Sequence, residues 1–149
     1  MTEQLTEVNR VKGWQPYDLD YYARKLVLEH RDRKDVTNES HKMRMSVAYG
    51  LERFWGEHLR LGRDKPEKGR YWKAVWETLA EILAKADLIL PNDNVRLENT
   101  AQIKDMAKKI WSMPPEQQRV ALAILTQLCE ALVWWHQRYK VESSDNSDN

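Results

Sequence analysis

Apolar residues recur at spacings of three and four along most of this chain, and no stretch alternates apolar with polar for the length a strand needs. The longest such stretch is residues 116–139 (EQQRVALAILTQLCEALVWWHQRY), with no Gly or Pro inside it and Pro114 and Pro115 just before it. On a helical wheel its polar residues Arg119, Thr126, Gln127, Glu130 and Gln137 share one narrow strip, and most of the rest is apolar. A helix of that character needs neighbours on most sides, so it is expected to be the central rod of a bundle.

Four earlier segments carry the same period. The first helix is expected from an N-cap at Asp18 to about Arg33, with Leu19, Tyr22, Ala23, Leu26 and His30 on one face. The second, at about 39–62, places Met43, Val47, Leu51, Phe54, Trp55, His58 and Leu61 inward, with Thr37 or Asn38 as its cap and Gly62 as its stop. After a polar loop, the third runs over about 70–89 to Pro91. It buries Tyr71, Trp72, Val75, Trp76, Leu79, Ile82, Leu83, Ala86 and Leu90 and pairs Glu81 with Lys85 on its surface. Asn99 or Thr100 caps the fourth, with Ile103, Met106, Ala107, Ile110 and Trp111 on one side, and the Pro114–Pro115 turn should bring it against the last helix. The expectation is an all-α bundle of about five helices with a long apolar C-terminal helix. Residues 1–16 form an N-terminal arm, 17–140 a single domain, and 141–149 a disordered acidic tail.

Composition adds where the chain belongs. At 149 residues it is sized for one domain, and no apolar run approaches a membrane span or a signal sequence. The one cysteine, Cys129, sits among Leu125, Leu128 and Leu132 and is expected to pack rather than react. A cytoplasmic location follows from these readings. Net charge is only +1, yet residues 24–73 hold 14 Lys and Arg against 8 Asp and Glu, so one basic third can face a polyanion.

Catalytic signatures are missing. There is no Gly-rich phosphate loop and no nucleophile elbow, and the inward Glu-x-x-His pairs of helical metal sites do not occur. His30 and His58 are read as hydrogen-bonded core residues. Arg53–His58 and Arg24–His30 have the loose spacing found in helical HEPN ribonucleases, a minor alternative. Arg53 and His58 project about 140° apart on a straight helix, and Phe54 and Lys25 stand where those motifs favour a polar residue. No enzyme, metal or cofactor is expected.

Binding fits better. Lys42, Ser46, Tyr49, Arg53, Gly56 and Arg60 recur at gaps of four and three, which makes one outward stripe on a continuous second helix. It combines cations for phosphates with a Tyr for base stacking. Arg44 and Arg63 flank it, and neighbouring loops add Arg31, Arg33 and Lys34 on one side and Lys65, Lys68 and Arg70 on the other. A second surface is aromatic. Adjacent Trp134 and Trp135 cannot share a helix face, so Trp134 must be covered, by Trp14 of the N-terminal arm or by a partner protein.

The segments MRMSVAYGLERFWGEHLRLGR and PPEQQRVALAILTQLCEALVWWHQRYK, in this order and in a chain of this size, resemble the helical small subunits of CRISPR effector complexes. They resemble equally the corresponding C-terminal domain of a large subunit. The resemblance implies a non-catalytic, nucleic-acid-binding subunit of a ribonucleoprotein complex. Such a subunit stacks beside other subunits and copies of itself and holds RNA or single-stranded DNA on a basic surface. A helical protein–protein adaptor that uses the aromatic surface is the alternative.

Overall fold

The computed structural model describes residues 16–141. Among them are six α-helices and no strand. They are α1 (Pro16–His30), α2 (Glu39–Ser46), α3 (Leu51–Asp64), α4 (Pro66–Lys85), α5 (Thr100–Trp111) and α6 (Pro115–Tyr139), with a 3₁₀ turn, Val47–Tyr49, between α2 and α3. Of the expected arm and tail, residues 1–15, with Trp14, and 142–149 lie outside the described residues, and Pro16, expected in the arm, is the first residue of α1. The all-helical expectation holds, with one more helix than the sequence suggests.

The extra helix comes from a break in the middle of the expected second one. Gly50 has φ 97° and ψ 175°, a backbone conformation open essentially to glycine. Its N–H closes the 3₁₀ turn on the Val47 carbonyl, and its own carbonyl accepts the first bond of α3 from the Phe54 N–H. The chain therefore changes direction between Tyr49 and Leu51. Further on, the expected polar loop after Gly62 is helix. Only Lys65 separates α3 from α4, because Pro66 is preorganised for a first helical position.

At the α3–α4 corner two helix backbones approach closely. A Cβ placed on Gly69 would lie 2.7 Å from the Gly62 nitrogen and 3.0 Å from the His58 carbonyl oxygen. Gly69 is thus needed for contact between two backbones, not for a turn. Above this corner Phe54 packs on Trp72, ring centres 4.9 Å apart, and on Trp76 at 6.4 Å. Both indoles keep their N–H groups satisfied: Trp72 donates to Glu39 at 3.0 Å and Trp76 to the Pro91 carbonyl at 2.9 Å. Glu39 is fully buried, and its second oxygen meets Lys42 at 3.2 Å and Lys68 at 3.7 Å. A buried carboxylate is tolerated when its oxygens are occupied in this way.

The last helix needs correction. It is long, but it is not the apolar rod enclosed on most sides. Its buried positions are one stripe, Ala121, Ile124, Leu125, Leu128, Cys129, Leu132 and His136, which rests on α1 and α2. Val120, Leu122, Ala123, Val133 and Trp135 are only partly covered. The α4 helix and the 3₁₀ turn add only a few contacts, so the remaining apolar residues form a half-exposed shoulder. Similarly, α5 packs chiefly against α3 instead of lying along α6. Gln118 secures the intervening corner by donating to the Met113 carbonyl at 2.7 Å.

Smaller expectations divide. Asn99 caps α5, accepting from the Gln102 N–H at 3.1 Å. Asn38 does not cap α2; it has helical angles and its amide turns back to Asp35. The third expected helix ends at Lys85, short of Pro91, because Asp87 takes a left-handed conformation and Leu88 bonds back to the Leu83 carbonyl. Lys85, expected to pair with Glu81, donates instead to the Tyr22 hydroxyl, which raises the lysine's pKa. No helix among the described residues is long and apolar enough to cross a membrane.

Candidate nucleic-acid interface

The break at Gly50 decides what becomes of the basic stripe. Ser46 ends α2, Tyr49 lies in the 3₁₀ turn, and Arg53, Gly56 and Arg60 ride on α3. The middle of the stripe survives as a depression of about 420 Å³ lined by Ser46, Tyr49, Arg53 and Gly56, with Glu52 and Glu57. The Arg53 guanidinium lies 5.2 Å from the Tyr49 ring centre, a cation–π contact that holds an exposed arginine over an exposed tyrosine.

A second depression, of about 340 Å³, shares Tyr49, Glu52 and Arg53 with the first and continues to Ile110, Trp111, Gln118 and Leu122. Here the sequence reading misplaced a residue. Trp111 was expected among the inner residues of its helix but is 69% exposed. Met106 and Ile110 define the buried direction of α5, and Trp111 lies at the margin of that sector, on the last helical residue. Its indole N–H donates to Glu52, which fixes the ring beside the N-terminus of α3. Two large exposed aromatics and an arginine thus line one continuous hollow.

The outer cations are mostly engaged within the chain. Arg60 makes a two-pronged contact with Glu57 at 2.8 and 3.0 Å, which lowers the Glu57 pKa and raises that of Arg60. Arg44 reaches Glu130 of α6 at 3.0 Å, and Lys42 turns to Glu39. Arg33 pairs with Glu67 at 3.3 Å, Arg70 with Glu67 at 3.9 Å, and Arg63 with Asp64 at 3.4 Å. Arg31 donates to the Tyr139 carbonyl at 3.4 Å, and Lys34 on the α1–α2 connection and Lys65 at the α3–α4 corner are both exposed. The expected binding residues are thus largely paired with acids in small clusters: Lys42 beside Lys68 at Glu39, and Arg33 beside Arg70 at Glu67, while Arg53 stands over Tyr49.

Of the histidines, His41 and His136 meet edge-on at 5.6 Å, and His30 and His58 stand in other surroundings. His30 donates through Nδ1 to the Leu26 carbonyl, 2.8 Å away, and its ring leans on Tyr71 at 5.0 Å. The Tyr71 hydroxyl shares a hydrogen bond of 2.7 Å with Ser40, and burial raises its pKa. His58 is half-buried and lines a hollow with Arg63 and Lys73 that shares no residue with the Tyr49 depressions. Arg53 and His58 therefore do not meet in one site, as the ribonuclease alternative requires within one chain. His136, overlooked in the sequence, is buried on the α6 stripe, where its Nδ1 meets the Thr37 hydroxyl at 2.9 Å. Its position four residues after Leu132 was the available signal. Burial lowers its pKa, with His41 and Lys140 acting in the same direction. Among the described residues no three His, Cys, Asp or Glu side chains converge as metal ligands. Cys129 is fully buried and its thiol pKa is pushed up by that burial.

At the far end of α6, Trp134 is 49% exposed. The Arg138 guanidinium lies 3.7 Å from its ring centre, and Trp135 meets it edge-on at 4.7 Å. Trp135 itself is half-buried, stacked on Tyr139 and hydrogen-bonded to Asp20 at 3.1 Å. One face of Trp134 is thus covered by its own helix.

No family model, no curated protein and no solved structure matches this chain. The functional reading rests on the geometry of its own residues.

Proposed function

We propose that this protein is a non-catalytic nucleic-acid-binding subunit that holds a single strand at Tyr49, Arg53 and Trp111. The observation that carries the reading is the pair of exposed aromatic rings lining one hollow together with an arginine. Stacking of a base on an aromatic side chain contributes about 1–3 kcal/mol and tolerates any sequence. The acids in the same hollow, Glu52 and Glu57, limit how many phosphates can settle there. Recognition is consequently led by stacking, with Arg53 serving one or two phosphates. In this reading the protein works beside other subunits, or further copies of itself, in a ribonucleoprotein complex of the CRISPR effector kind.

Fluorescence anisotropy with labelled single-stranded RNA, single-stranded DNA and duplex tests the proposal. Single strands should bind, and each of Tyr49→Ala and Trp111→Ala should weaken them about tenfold. The slope of log K against log salt should be about −1, as one or two neutralised phosphates give, and not the value of about −4 that six would give. Affinity unchanged in both variants, or preference for duplex, refutes the reading.

The half-exposed Trp134 favours a second reading, a helical adaptor that docks a partner protein on the end of α6. That reading predicts association insensitive to salt and lost with Trp134→Ala, which light scattering can distinguish from strand binding.

A further inference from the structure

The hollow around His58 lies between α3, α4 and the segment that leads into α5, and has a volume of about 560 Å³. Small-molecule sites commonly occupy about 300–1,000 Å³ and combine apolar walls with a few polar groups. Here Leu59, Val95 and Leu97 supply the apolar side, and the polar side has Lys73, Glu98 and Arg63, whose guanidinium also meets Asp64 at 3.4 Å. Lys73 donates to the amide oxygen of Asn94 at 3.2 Å, a partner that orients it and brings no charge of its own. His58 is oriented too. Its Nδ1 bonds the Trp55 carbonyl at 2.5 Å. A carbonyl can only accept, so Nδ1 carries the proton and the neutral ring keeps Nε2 as an acceptor.

No Trp, Tyr or Phe lines this hollow, so a nucleobase finds no ring to stack on. What the lining complements is an anionic head beside an aliphatic body. We infer that the His58 hollow is a binding site for a small amphipathic carboxylate, its head held by Lys73 and Arg63 and its hydrocarbon chain laid along Leu59, Val95 and Leu97. The site shares no residue with the Tyr49 depressions, and stands or falls independently of strand binding.

The test is an NMR titration of the full chain with octanoate, following the His58 ring and the Val95 and Leu97 methyl signals. Saturable shifts of these signals together are expected, with Kd on the order of a millimolar for a ligand of this size. Acetate, lacking the chain, and octylamine, carrying the opposite charge, should each bind about tenfold more weakly or worse. Lys73→Gln and Leu97→Asp should each reduce octanoate affinity about tenfold, with the fold of each variant checked by its remaining amide spectrum. Absence of saturation, equal binding of octylamine, or equal affinity in both variants overturns the inference.

Discussion

Replacing Gly69 by alanine should destabilise the protein, although an alanine in a helix interior ordinarily does the opposite. Exchange of helical Gly for Ala is worth about 0.5–1 kcal/mol in favour of folding, through helix propensity and a less disordered unfolded chain. At Gly69 the new methyl group would meet the Gly62 nitrogen at 2.7 Å and its Cα at 2.8 Å, where ordinary contact begins at 3.4 Å. Both atoms are backbone within α3, so no side chain can rotate away. Relief requires α4 to move off α3, which loosens the packing of Phe54 on Trp72 and Trp76. Overpacking of this kind costs about 1–3 kcal/mol, and rigid neighbours put it at the upper end. The net loss is about 1–2 kcal/mol, or a fall in Tm of about 2–8 °C for a chain of this size. Gly56→Ala is the matched control. It lies on the same helix pair with nothing within 4 Å of the new methyl, so its Tm should rise by about 1–4 °C. Thermal unfolding followed by circular dichroism reads both. A Gly69→Ala variant as stable as the wild type would mean that the helices are not held at this distance.

Gly50→Ala meets no atom, yet it should cost about 1–3 kcal/mol because φ 97° with ψ 175° is strained for any residue with a Cβ; denaturant unfolding checks it, and an unchanged midpoint refutes the break between α2 and α3. Glu39→Ala should cost about 1–3 kcal/mol by leaving the buried Trp72 N–H without an acceptor, a loss that should shrink in the double variant with Trp72→Phe. Acidification should weaken the fold through His58 and His136, whose pKa values are lowered from 6.5, in both cases first by burial. The unfolded chain takes up those protons at higher pH than the folded one, so stability is complete above about pH 6.5. It falls as pH drops through the interval down to the folded pKa values and then levels off. Urea midpoints at successive pH values read the effect, and His136→Gln should remove the part that belongs to α6.

The helical segments were legible because burial repeats every three or four residues, and the positions that face inward on α1 and α4 are those the period selects. What period alone does not encode is where a helix changes direction. The stretch VAYG carries a helical pattern straight through 47–50, and only the φ of Gly50 shows the turn. Pro66 and Gly69 resemble loop residues, but here they are a helix start and a backbone contact. Trp111 was misread for a related reason: a hydrophobic residue at the margin of an apolar sector can go either way, and its partner Glu52 lies 59 residues earlier. The same limit applies to α6, whose composition announces more burial than its neighbours supply.

Charge illustrates the limit most directly for function. The excess of cations in residues 24–73 is a sum along the chain, and it cannot show which carboxylates fold back onto them. Arg44 meets Glu130 from 86 residues away, and Lys68 meets Glu39 across two helices. The exposed Arg44–Glu130 pair contributes little to stability, whereas Glu39 is buried, but both acids engage a cation that a phosphate would otherwise approach freely. In the proposed reading the excess can still supply a long-range field that raises the local concentration of a polyanion. Holding the polyanion is a separate task. In the proposed reading it falls to ring faces and not to charges: those of Tyr49 and Trp111, which stay exposed although Arg53 lies over the tyrosine and the Trp111 N–H is given to Glu52. On that reading the basic third raises the chance of encounter, and stacking in the hollow sets the affinity.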